Sequence, residues 1–303
     1  MSPLYQFLLV LLLAIMASAK VTVQGFMSRR HLRSSQDNLW YNSLLFVIIA
    51  ILLSIIFPLG QVTGVLLAYS ALTAVTNIGF QYFYSAALKS GPVSLTVLIG
   101  NFNVLLTTGF TCLFLGDKLY VTQLVAIVFL VASMFLATES KEGEAKATHK
   151  WLFMALFCMC CAAVYGIGQK LFLVTPEAQL PNAQNTELVF MYAFSAILGF
   201  ILYAFNARKG EKSPLGFHKP VMLYSLAIGL ILGVYQRLNI YTMAVVEGSF
   251  HFPTYAGLQS LTMTLVGVIL FKDRLSKRQL LGVICGIISV VLMNVRLGAP
   301  LLG

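Results

Sequence analysis

Apolar blocks of roughly 20 residues, separated by short polar segments, run from one end of the chain to the other. A block of that length crosses a hydrocarbon core of ~30 Å as an α-helix rising ~1.5 Å per residue. The pattern therefore predicts an all-α, polytopic membrane protein. Charge clusters and Gly/Pro punctuation divide it into ten spans, at about 4–25, 39–58, 62–88, 93–115, 119–138, 151–173, 186–206, 220–243, 251–271 and 279–296. The first block follows Met1-Ser2-Pro3 without a basic stretch, and no small-residue cleavage site leads into a polar domain. It reads as a span and not as a cleaved signal peptide.

Composition excludes a soluble fold. Of 303 residues, 59% are hydrophobic and only 10% charged, with a mean hydropathy of +0.87. That is less than half the charge of an ordinary soluble domain. The five cysteines fall inside apolar blocks and lack zinc-site spacing, so they read as small packing residues. A net charge of +10 would suggest nucleic acid in a soluble protein, but here the basic residues sit in short connections.

Their placement reports orientation. Arg29, Arg30, Arg33, Lys89, Lys141, Lys146, Lys150, Arg208, Lys209, Lys212, Lys219, Lys272, Arg274, Lys277 and Arg278 follow odd-numbered spans, whereas only Lys118 and Arg296 lie on the other side. The positive-inside rule then puts both termini outside.

The halves of the chain, 1–140 and 141–303, resemble each other. At one constant offset Leu105, Thr108, Asp117, Leu119, Gln123, Leu124 and Ser133 match Leu261, Thr264, Asp273, Leu275, Gln279, Leu280 and Ser289. The core of the match is D-[KR]-L-x-x-x-Q-L, at 117–124 and 273–280. A five-span unit repeated in tandem is inserted in opposite senses, and the loop charges agree: Lys272, Lys277 and Arg278 replace Gly116, Val121 and Thr122. The expectation is ten transmembrane helices in two inverted five-helix repeats, an arrangement characteristic of secondary transporters.

The chain resembles the drug/metabolite transporter superfamily, in its ten-span branch with two EamA-type repeats. The resemblance is carried by Ala87-Leu88-Lys89-Ser90-Gly91-Pro92-Val93, by Leu115-Gly116-Asp117-Lys118-Leu119, and by Phe271-Lys272-Asp273-Arg274-Leu275 running into Gln279-Leu280-Leu281-Gly282. Asp117 and Asp273 stand where the family usually has Glu. The small four-span members carry a glutamate in their first span for cationic drugs and protons; here span one offers Lys20. Phosphate-handling relatives use intramembrane Lys and Arg, so the resemblance implies an anionic substrate.

Candidate chemistry lies inside the spans. Arg237 is the deepest charge by position, with Lys20 and Lys170 nearer the ends of theirs. A mid-membrane charge is costly and usually faces a cavity or pathway; the alternative is a long side chain snorkelling to water. None of the ten carboxylates is expected in the middle of a span, so unpaired positive charge favours a substrate bearing carboxylate or phosphate.

Asn101, Asn103 and Gln259 at mid-depth, Gln81 at the position matching Arg237, and Asn239 beside it complete the polar set. They serve either as substrate contacts or as interhelical hydrogen bonds. Tyr84 and Tyr235 are the aromatic candidates for a substrate with a ring. The groups of an intramembrane hydrolase are missing.

The expected function is a secondary transporter or exporter of an anionic or zwitterionic metabolite, such as an amino acid or phosphorylated compound, working by alternating access. The alternatives are a proton-coupled exporter of drugs or cations, and a non-transporting sensor or channel. A small-molecule substrate and a lipid bilayer are the expected partners of a monomer or homodimer in the cell membrane. No enzyme activity, nucleic acid, cofactor or metal is expected.

Overall fold

A computed structural model describes residues 2–31, 34–90, 93–137, 148–207, 219–270, 276–295 and 300–302. Its helices are α1 (Pro3–His31), α2 (Ser35–Ile56), α3 (Gly64–Ser90), α4 (Val93–Asn101), α5 (Asn103–Phe114), α6 (Val121–Ala137), α7 (His149–Leu173), α8 (Ala183–Ala207), α9 (Lys219–Val245), α10 (Gly248–Leu270) and α11 (Lys277–Met293). A 3-10 turn at Pro176–Gln179 and two short strands, β1 (Leu119–Tyr120) and β2 (Pro300–Leu302), complete the described elements. Within α1, α2, α7, α8 and α9, stretches of 21 to 27 residues are long and apolar enough to cross a membrane by themselves.

The predicted fourth span is two helices, broken at Phe102. Gly100, Asn101 and Asn103 are poor helix formers in sequence around the break. The Asn103 amide donates to the Gly100 carbonyl at 2.8 Å. Pro92, the Asp273 turn and the charged clusters at 139–146, 208–212 and 272–274 lie outside the described residues.

The chain forms two compact units, each drawing on both halves of the sequence. Unit 1 comprises Met1–Ser18, Ala87–Ala163 and Thr242–Gly303, and unit 2 comprises Ala19–Ala86 and Val164–Tyr241.

In unit 1, α6 packs on α11, its counterpart in the other repeat. Ser133 Oγ donates to the Gly282 carbonyl and Ser289 Oγ to the Ala126 carbonyl, both at 2.7 Å. Ser133 matches Ser289 in the repeat, and Ala126 matches Gly282. The two bonds are thus one interaction made twice, and their pairing makes the helices antiparallel. A Cβ on Gly286 would lie 2.9 Å from Ser133 Oγ, so small residues at this crossing permit the approach. Counterpart helices running in opposite senses are what inverted repeats require.

Side chain to side chain hydrogen bonds join other helix pairs of unit 1. Ser18 meets Thr262 at 2.6 Å to join α1 to α10, and Trp151 Nε1 donates to Thr96 Oγ1 at 2.8 Å to join α7 to α4. The apolar core here gathers Val10, Ala14, Ala126, Val246, Phe250, Leu258, Val290 and Met293.

The repeated D-[KR]-L-x-x-x-Q-L motif is explained by helix ends. Gln123 Oε1 accepts from the Tyr120 N–H at 3.1 Å, and Gln279 Oε1 from the Ser276 N–H at 3.0 Å, so each Gln caps its own helix. Asp117 reaches further. Its Oδ2 accepts the Gly248 N–H at 2.6 Å, placing a carboxylate at the positive N-terminus of α10. Gly116 makes the turn possible with φ of 71°, and Ser249 Oγ donates to the Lys118 carbonyl at 2.8 Å. β2 pairs antiparallel with β1, with Leu119 opposite Leu302 and Tyr120 opposite Pro300.

In unit 2, α2 packs on its own counterpart, α8, again antiparallel. A Cβ on Gly199 would lie 2.2 Å from Ser43 Oγ, so this crossing too depends on a glycine.

Replacing Asp117 by Ala removes the acceptor for Gly248 and is expected to cost about 0.5–2 kcal/mol. The Asp117→Ala protein in detergent should melt below wild type, with Asp117→Asn close to wild type.

Candidate functional site

One end of unit 2 is closed by two connections, one after α2 and one between α7 and α8. The Asn185 amide donates to the carbonyls of Phe57 and Pro58 at 3.3 and 3.1 Å, and Thr186 Oγ1 accepts the Gly60 N–H at 2.7 Å. Asn182 takes φ of 60°, which Asn tolerates better than most residues. The polar run Asn182–Thr186 therefore ties α8 to the end of α2. Leu66, Phe172, Ala178 and Ala183 form the apolar cluster beneath.

Inward from this end, polar side chains of α7, α8 and α9 converge. Gln236 Nε2 on α9 donates to the Tyr165 hydroxyl on α7 at 3.0 Å, and the Gln236 side chain also hydrogen-bonds Tyr192 on α8. Asn239 Nδ2 lies 3.5 Å from Gln236 Oε1 and donates to it. Tyr235, next to Gln236 on α9, is half-buried. Gln169, one turn beyond Tyr165 on α7, is 1% exposed, and neither its amide oxygen nor its nitrogen has a hydrogen-bond partner among the described residues. A wholly buried, unsatisfied amide costs free energy, on the order of 1–3 kcal/mol. A buried water or a ligand would satisfy it.

α3, from the first repeat, packs close to α8 and α7 here. Thr73 Oγ1 lies 3.1 Å from Glu187 Oε1, and Ser70 Oγ donates to the Glu187 carbonyl at 3.1 Å. A Cβ on Gly168 would stand 3.1 Å from Thr73 Cγ2, so α7 and α3 approach closely here. Tyr165, Tyr192, Gln236 and Asn239 together offer hydroxyls and carboxamides. Such groups both donate and accept, and they suit a solute that does the same.

The sequence candidates divide between the units. Arg237, Lys20, Lys170, Gln81, Tyr84, Tyr235 and Asn239 belong to unit 2, and Asn101, Asn103 and Gln259 to unit 1. Arg237 is half-buried. Its Nη1 donates to Gln184 Oε1 at 3.4 Å, and its guanidinium carbon lies 5.9 Å from the centre of the Phe57 ring. Phe57 caps the end of α2 and Gln184 begins α8. A residue deep by position along α9 thus sends its charge toward the closed end, as long basic side chains do.

Lys170, 8% exposed, occupies the last turn of α7, where a cation complements the helix dipole. Lys20 is half-buried on α1, as are Gln81 and Tyr84 on α3, where Tyr84 stacks on Phe80 at 5.5 Å. In unit 1, Asn101 is exposed at the end of α4, Asn103 at the start of α5 bonds back across the break to the Gly100 carbonyl of α4, and Gln259 is half-buried on α10.

Sequence reasoning missed Glu187, Gln169 and Tyr192. Glu187 was expected at a span's edge, but α8 starts at Ala183, so the residue lies inside the helix with no exposed surface. The signal was the polar run from Asn182 to Glu187, too long for a single cap.

A model of the EamA-like transporter family matches residues 7–138 and 149–295. Among characterised proteins, the chain is similar to the "Probable glucose uptake protein GlcU" of Staphylococcus epidermidis, 23% identical over 247 residues covering 79% of this chain and 77% of the relative. It is also similar to the "Glucose uptake protein GlcU" of Staphylococcus xylosus, 24% identical over 260 residues covering 84% and 78%. A chain of known crystal structure superposes with a TM-score of 0.71 at 15% identity, covering 96% of both chains, which is a likeness of fold.

Gly60 is a sharp test of the closed end, because a Cβ there would fall 2.1 Å from the Pro181 carbonyl oxygen. Backbone cannot yield as a side chain can. Gly60→Ala is expected to destabilise by about 1–3 kcal/mol, read as a lower melting temperature in detergent.

Proposed function

This chain belongs to the EamA-like transporter family, and we propose that it takes up a small, neutral, polyhydroxylated solute of the hexose class by alternating access. The observation that carries this reading is the hydrogen-bonded cluster of Tyr165, Gln236, Tyr192 and Asn239, with the unsatisfied Gln169 amide beside it. A sugar hydroxyl both donates and accepts, so carboxamides and phenols can satisfy it without a net charge. The tyrosine rings add apolar faces for the C–H side of a pyranose.

The relatives named as glucose uptake proteins support the same class of solute. The cluster comes from α7, α8 and α9 of the second repeat, with α3 of the first packed close to α8 and α7. Sites of this kind in inverted-repeat carriers are exposed alternately as the halves rock.

The second reading is the anionic or zwitterionic metabolite that the basic residues suggest. Arg237 supports it, since a half-buried guanidinium can hold a carboxylate or phosphate in bidentate fashion. Two observations weigh against it. Arg237 already has Gln184 and the Phe57 ring as partners, and Glu187 adds a carboxyl to a unit that was expected to hold only buried cations.

The two readings separate in a thermal-shift series on purified protein, because a ligand stabilises only the state that binds it. D-glucose is expected to raise the melting temperature, and Gln236→Leu to weaken its apparent affinity by about tenfold, the equivalent of ~1.4 kcal/mol. Stabilisation by sugar phosphates or amino acids alone, abolished by Arg237→Ala, would establish the second reading instead.

A further inference from the structure

Glu187 stands beside the amide and tyrosine cluster and is the only carboxyl among the described residues recorded at 0% exposed. Its Oε1 lies 3.1 Å from Thr73 Oγ1, and its Oε2 has no hydrogen-bond partner among the described residues. Thr73 has one hydroxyl proton and three acceptors in reach: the Tyr69 carbonyl at 2.8 Å, the Ser70 carbonyl at 3.2 Å and Glu187 Oε1 at 3.1 Å. Hydroxyls on a helix commonly bond back to a carbonyl of the preceding turn. When Thr73 does so, its lone pair faces Glu187 Oε1, and a proton on the carboxyl completes the contact.

Among the described residues, the ionisable groups near Glu187 are Tyr165 on α7 and Tyr192 on its own helix; α3 presents Thr73 and Ser70. Both tyrosines are also hydrogen-bonded by Gln236. The carboxyl and the proposed solute groups therefore share neighbours. A change in the protonation of one alters the hydrogen bonding open to the other, which is a coupling between two ligands of one protein.

We infer that Glu187 is the proton-coupling residue of the carrier, binding a proton from water on one side of the membrane and releasing it to water on the other as the solute is carried. Only an O–H bond forms and breaks. The inference rests on the carrier reading above. It goes beyond that reading in naming the coupled ion and the side chain that holds it.

The test uses the full-length protein in proteoliposomes, with Glu187→Gln as a neutral isostere. Wild type should accumulate D-glucose severalfold above the outside concentration when the lumen is made alkaline. Glu187→Gln should only equilibrate it, while still exchanging labelled for unlabelled glucose in the absence of a gradient. Accumulation by Glu187→Gln equal to wild type, or a wild type indifferent to the gradient, overturns the inference.

If neither protein exchanges glucose, the hexose reading fails and infrared spectroscopy decides the proton question without any solute. A carboxylic-acid C=O band that changes between acid and alkaline wild-type samples, and is missing from Glu187→Gln, upholds it; no such band overturns it. Should Glu187→Gln not fold, Thr73→Val removes the carboxyl's side-chain partner among the described residues. The C=O frequency should then shift, and an unchanged frequency counts against the inference.

Discussion

Hydrocarbon offers no water to a polar group, and this chain meets that constraint with partners taken from the opposite repeat. A helix in the bilayer satisfies its own backbone, so what remains is how helices hold one another when apolar contact alone gives no preference over lipid. In unit 1 the answer is a hydroxyl given to a backbone carbonyl across the α6–α11 crossing, once from each side. In unit 2 it is the close approach of α2 and α8 at Gly199 and the Asn185 amide bonds at their ends. Both crossings join counterparts running antiparallel. The inverted repeat is therefore a packing device as well as a pattern of insertion.

The fold was legible because helix length and loop chemistry are local. The apolar blocks correspond to the described helices, and the two motif glutamines, Gln123 and Gln279, both stand at helix starts. The structure adds why the motif exists: Gln123 and Gln279 cap the helices they begin, and Asp117 caps a helix far away in sequence. Long-range capping leaves no periodic trace. Nor does a break such as Phe102, where α4 ends and α5 begins inside one apolar block.

The site was less legible, because depth along a helix does not say where a side chain points. Arg237 is central by position, yet its guanidinium lies against Phe57 and Gln184 at the closed end. Glu187 is near its helix's start, yet it has no exposed surface and meets Thr73 and Ser70 of α3. Those two placements change the electrostatic argument. Unpaired positive charge had pointed to an anion. The same unit also holds a buried carboxyl and a hydrogen-bonded set of phenols and amides, so buried positive charge no longer stands alone in it.

The proposed hexose carrier is tested most directly by tracer counterflow in wild-type proteoliposomes preloaded with unlabelled D-glucose. Labelled glucose should rise inside above its equilibrium level and then fall back, the behaviour of a saturable carrier exchanging one solute for its twin. No overshoot with glucose, alongside a clear one with a sugar phosphate or an amino acid, would contradict the account.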